Sequence, residues 1–196
     1  MSLPQASISS PSLIVRWILA GVIGFAVGIV GADILTLIFR RLPGINEDRF
    51  VVYAMLLCIG LAIGFTQSRV IALLLPRPSR WIVATLIGYL LVFPAIGTRI
   101  PDLPGPAWTG SIPLLAYVGA VVGLAQWWLL RQRLRGAAWW IPASALGFLA
   151  FLWLVAHPAD SMGDLVLAGA LIGGLIAVPP ALVLAWLARR PLPASA

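Results

Sequence analysis

Arg80-Trp81-Ile82-Val83-Ala84-Thr85-Leu86-Ile87-Gly88-Tyr89 is the stretch that decides the fold, because the chain carries two further versions of it. The earlier one is Arg16-Trp17-Ile18-Leu19-Ala20-Gly21-Val22-Ile23-Gly24-Phe25, and the later one is Trp139-Trp140-Ile141-Pro142-Ala143-Ser144-Ala145-Leu146-Gly147-Phe148. All fit W-I-x-A-x-x-x-G-[FY], and their starts lie 64 and 59 residues apart. A repeat of that period in so apolar a chain predicts three copies of a helical hairpin embedded in a membrane.

Composition supports the bilayer as solvent. Of 196 residues, 61% are hydrophobic and only 10% charged, against about 25% charged in soluble domains. So few charges cannot cover a surface facing water. The net charge of +7 comes from arginine alone, with no lysine. These arginines fall in short loops between apolar runs, a placement that suits membrane topology and anionic headgroups and excludes a nucleic-acid interface. Cys58 is the single cysteine, so no intramolecular disulfide forms. Residues 1–12 are polar and read as a loose tail, and 191–196 as a second short one.

Six segments approach the roughly 20 apolar residues a spanning helix needs: 13–39, 50–72, 81–98, 112–131, 139–156 and 165–187. Pro94 and Gly97 are expected to kink or shorten the third. An even number of spans puts both termini on one side. Arg16, Arg69, Arg77, Arg80, Arg131, Arg133, Arg135, Arg189 and Arg190 share that side, against Arg40, Arg41, Arg49 and Arg99 opposite. The positive-inside rule then predicts cytoplasmic termini in a plasma (inner) membrane. Residues 13–190 form one domain, with repeats at about 13–72, 81–131 and 139–187.

Small residues predict how the helices meet. Gly24, Gly88 and Gly147 fall seven residues after Trp17, Trp81 and Trp140. The second, fourth and sixth segments carry G-x-x-x-G pairs: Gly60 and Gly64, Gly119 and Gly123, Gly169 and Gly173. Such faces let backbones approach closely. The expected architecture is an all-α bundle of six helices in three parallel hairpins with pseudo-threefold symmetry. The motif tryptophans are expected at the cytoplasmic interface, where an amphipathic indole is comfortable.

Candidate ligand-binding residues are Asp33, Gln67, Gln126, Trp127, Pro179 and Pro180. Gln67 and Gln126 extend two of the glycine pairs to G-x-x-x-G-x-x-Q, whereas the third copy has Ile176. An amide on that stripe is expected to bond across helices, worth roughly 1 kcal/mol. Asp33 is the one acid inside a predicted span, roughly 24 Å beyond Trp17 at 1.5 Å per residue, and an ion pair with Arg40 or Arg99 competes with a transport role. Gly173-Gly174 and Pro179-Pro180 predict a kink or break in the sixth segment, and a break could line a cavity. Trp127 belongs to a tryptophan-rich stretch that could anchor the chain or form an aromatic pocket. His157 and Glu47 are the lone histidine and glutamate, and no metal-ligand spacing or catalytic signature occurs. No cofactor is readable, and no enzymatic activity is expected.

The run Gly119-x-x-x-Gly123-x-x-Gln126-Trp127-x-x-Leu130-Arg131, followed by Trp139-Trp140-Ile141, resembles uncharacterised bacterial multi-pass membrane proteins that repeat this pattern. The resemblance is strongest from the second to the fifth segment and implies no activity. In its first copy, Ser68 and Arg69 replace the tryptophan and its neighbour. In size and helix number the chain is also similar to the capture subunits of vitamin-uptake transporters. Two functions follow as expectations. One is a non-enzymatic subunit that packs against a membrane partner or its own copies, or holds a lipid-like molecule. The alternative is a small-solute transporter or its binding component.

Overall fold

Residues 10–39, 47–92, 107–156 and 161–189 are described in the computed structural model, and every regular element among them is helical. They are α1 (Ser10–Phe39), α2 (Glu47–Ile71), α3 (Ser79–Leu90), α4 (Ala107–Leu130), a 3-10 turn at Ala137–Trp139, α5 (Trp140–Phe148), α6 (Phe151–Ala156) and α7 (Met162–Leu187). Pro11–Phe39, Tyr53–Ile71, Ile112–Leu130 and Met162–Leu187 are long and apolar enough to cross a membrane. The chain is therefore an all-helical protein with four helices fit to span a bilayer.

Several boundaries differ from those expected. α1 starts at Ser10, inside the polar tail, because Pro11 fits the first turn, where its missing N–H costs no hydrogen bond. α4 starts at Ala107, although residues 99–111 read as a proline-stiffened loop. The third segment yields only the 12 residues of α3 and a turn at Leu91 and Val92, and Pro94 and Gly97 lie outside the described residues. In the fifth segment, the N–H groups of Leu149 and Ala150 bond three residues back, to Leu146 and Gly147. That tightening separates α5 from α6 within an apolar helical stretch from Ala137 to Trp153.

Of the kink or break expected in the sixth segment, the break is absent: α7 runs as one helix through both prolines. Pro180 cannot donate to the Ile176 carbonyl one turn below. That oxygen instead faces Gly147, where an added Cβ would collide with it. A neighbouring helix with no side chain at the contact thus covers the carbonyl the proline leaves over.

α1 packs on α2, α2 on α3, α3 on α4 and α4 on α5, while α5 packs on α7 and α7 closes against α1. Glycines serve two kinds of contact. Gly24 meets Ile63, Gly88 meets Val122, and Gly147 meets Ile176, each on the following even-segment helix. Gly64 meets Ile82 and Thr85, Gly123 meets Ile141 and Ser144, and Gly173 meets Gly21 and Phe25, all across to the next copy of the motif. Gly60 abuts Tyr89, Gly119 abuts Ala145, and Gly169 abuts Ile29.

The core has two layers. One gathers Trp17, Trp81 and Trp140 from the starts of α1, α3 and α5 with Ile71, Leu130 and Leu184 from the ends of α2, α4 and α7. The other contains Phe25, Tyr89 and Phe148, the last residues of the three motifs, about two turns further along the same faces. The motif tryptophans face the core and not the surroundings, since all three are at most 1% exposed. Trp17–Trp81, Trp17–Trp140 and Trp81–Trp140 pack edge-to-face with centroids 5.7, 5.4 and 5.7 Å apart. Alanine at +3 and glycine at +7 lie on the tryptophan's own face, so the close packing they permit draws the indole inward. Among the described tryptophans, Trp128, Trp139 and Trp153 are exposed, at 54%, 62% and 43%.

Candidate functional site

The most polar part of the core surrounds the three indoles. Trp81 Nε1 donates to Gln67 Oε1 at 3.2 Å, and Trp140 Nε1 donates to Gln126 Oε1 at 2.9 Å. Gln126 Nε2 in turn donates to Thr85 Oγ1 at 2.9 Å. Both glutamines and Thr85 are buried, at 8%, 4% and 0% exposure. Each glutamine thus fixes the tryptophan that opens the next motif, and Gln126 links α3, α4 and α5.

Trp17 breaks this pattern, since its Nε1 is buried without a hydrogen-bond partner. The residue in the register of the two glutamines is Ile176, which can accept nothing through its side chain. A donor left this way costs about 1–3 kcal/mol. Trp17 and Ile176 border a central cavity of about 30 Å³ that Gln67, Gln126, Ser144 and Pro180 also line. A void of that size has room for about one water.

The candidate residues do not converge on one place. Gln67, Gln126 and Pro180 meet at the central cavity. Asp33 lines a separate cleft of about 120 Å³ with Thr36, Met55 and Met162, and its expected partners Arg40 and Arg99 lie outside the described residues. Thr36 Oγ1 there donates to its own helix, to the Ala32 carbonyl at 2.8 Å. Trp127 is half-buried against the tryptophan layer, and the Arg131 guanidinium lies 4.9 Å from its ring and 3.4 Å from that of Trp128. Pro179 is half-buried in α7. Glu47 lies in the first turn of α2, and His157 is outside the described residues. Asp164 serves α7 itself, its N–H donating to the Ser161 hydroxyl at 3.1 Å. No three potential metal ligands group together among the described residues.

Sequence reasoning missed Thr85 and the tryptophans as partners of the glutamines. The signal was present: 14 residues separate Gln67 from Trp81 and Gln126 from Trp140. It also missed a third cleft, of about 390 Å³, where Arg77 and Arg80 meet Gln132 and Arg133. Residues of two loops and of the adjoining ends of α3 and α4 form that cleft, and no periodicity announces it.

Fold and core together define an all-helical membrane protein centred on an aromatic–amide cluster. Comparison with protein-family models, curated proteins and solved structures finds no match.

Proposed function

We propose that this chain is a six-pass, non-enzymatic subunit of the bacterial inner membrane with cytoplasmic termini, built from three parallel hairpins about a pseudo-threefold axis. Its work is to pack against a membrane partner and to hold lipid-like molecules at its surface. The observation that carries the reading is the filled centre. Three indoles meet where a solute path between the repeats would run, and the cavity beside them is about 30 Å³. Small-molecule sites commonly occupy about 300–1,000 Å³. The repeat reading is supported by the recurrent register of the glycine contacts and by the gathering of three helix starts and three helix ends in one core layer.

The outer surface suits the same role. Val15, Leu19, Ile23 and Val27 form an exposed apolar stripe on α1, and Leu167, Leu171, Leu175 and Leu182 form another on α7. Native mass spectrometry of the protein from its own membrane in mild detergent tests the proposal. A second membrane protein, or further copies, bound in fixed stoichiometry is the expected result. Saturable solute uptake that is lost in D33N, Q67L or Q126L without loss of folding would overturn it in favour of transport.

A further inference from the structure

We infer that the arginine cleft binds the phosphate headgroup of an anionic phospholipid. The inference deepens the lipid-holding half of the proposed function and is independent of any protein partner. The cleft measures about 390 Å³ and is lined by Leu75, Pro76, Arg77 and Arg80 on one wall and Leu129, Gln132 and Arg133 on the other. It is the one of the three cavities described above that reaches the size of an ordinary ligand site.

Its chemistry selects an anion. Arg77, Arg80 and Arg133 are all exposed, and no acid lines the cleft with them. Three guanidinium groups at one mouth match phosphate oxygens, which accept paired N–H donors in a fork. Gln132 adds an amide able to donate to a glycerol or phosphate oxygen.

The surroundings select a lipid over a soluble phosphate. Leu75 and Leu129 supply apolar walls to the same cleft, so an occupant with both an anionic head and an apolar body satisfies the whole site. Leu75 also belongs to the tryptophan core layer, which gathers the starts of α1, α3 and α5. That layer lies at the arginine-rich end of the helices. Nearby, Arg131 stacks on Trp128 with its guanidinium 3.4 Å from the ring centroid. An exposed indole with a cation on its face suits the depth at which headgroups lie. Basic pockets between helices on the cytoplasmic side are suited to anionic headgroups.

The test uses the full chain in nanodiscs and detergent, with phosphatidylglycerol and phosphatidylcholine as probes. Native mass spectrometry should show phosphatidylglycerol retained at least about tenfold better than phosphatidylcholine. The triple variant R77Q/R80Q/R133Q should lose that preference, whereas R16Q/R135Q, which removes charge outside the cleft, should keep it within about twofold. Equal loss in both variants would reduce the effect to diffuse charge and overturn the site. Displacement of the lipid by millimolar inorganic phosphate would overturn the choice of a lipid. A photoactivatable phosphatidylglycerol on the unaltered protein supplies a second readout, with crosslinks expected at Leu75–Arg80 or Leu129–Arg133. Crosslinks confined to other segments would overturn the proposal even if the triple variant fails to fold. Neither readout requires a partner protein, so a failed search for a partner leaves the site standing.

Discussion

Trp17, Trp81 and Trp140 are alike in packing and unlike in bonding, and that difference sets the first expectations. Phenylalanine at any of these positions loses part of an edge-to-face contact worth about 0.5–1.5 kcal/mol. At Trp81 and Trp140 it also leaves a buried glutamine oxygen without its donor. W81F and W140F should therefore cost about 1–2 kcal/mol more than W17F, as measured by unfolding in mixed micelles. Equal losses in all three would show that the indole–amide bonds contribute nothing net. The reverse experiment is Ile176→Gln, which offers Trp17 Nε1 an acceptor in the register its counterparts use. The Trp17 indole proton should move downfield in NMR spectra, with about 0.5–1 kcal/mol of added stability. An unmoved resonance would mean that Ile176 is not what leaves this donor unpaired. At this scale the glutamines were readable as cross-helix bonders, since an amide on a glycine stripe faces another helix. Their partners were not, because an indole at a helix start satisfies an interface and a core equally well until its neighbours are known.

Single contacts extend along whole helices through the glycines. A Cβ on Gly173 would lie 2.5 Å from the Gly21 carbonyl oxygen and 2.6 Å from Phe25 Cβ. Helix α7 would then have to move away from α1. G173V should cost about 1–3 kcal/mol or more, whereas G31A, whose Cβ would sit 3.7 Å from Cys58, should stay within about 0.5 kcal/mol. Thermal unfolding of the two variants in one detergent decides the matter, and equal midpoints would show that α1 and α7 do not need the close approach. Glycine spacing drew attention to these positions, because a small residue repeated every four positions lets a neighbouring helix approach. The shortness of α3 and the joint between α5 and α6 were harder to read. Hydropathy counts apolar residues and is blind to backbone bonds tightening from four residues back to three, as at Leu149 and Ala150.

For the molecule as a whole, the proposed topology makes a two-sided prediction. In a Cys58→Ser background, Ser79→Cys and Met162→Cys place a single thiol at an exposed position at opposite ends of the bundle. An impermeant thiol reagent added to intact cells should label Met162→Cys and reach Ser79→Cys only after permeabilisation. The opposite pattern would invert the orientation. Membrane class was legible from composition because so little charge leaves no other solvent. The arginine cleft was hidden because its walls, near Arg77 and Arg133, are brought together only by the packing of α3 against α4.

The closure of α7 onto α1 also constrains biogenesis. During translation α1 leaves the ribosome well before its eventual partner α7, which emerges only after the intervening segments. Until then the nascent chain presents Gly21 and the Trp17 indole on an unoccupied flank within the bilayer. An insertase or a lipid must occupy that flank for the whole interval, since contacts so distant in sequence form late. A chain arrested before α7 would keep the flank open, and the α7 of another molecule could fill it by exchange.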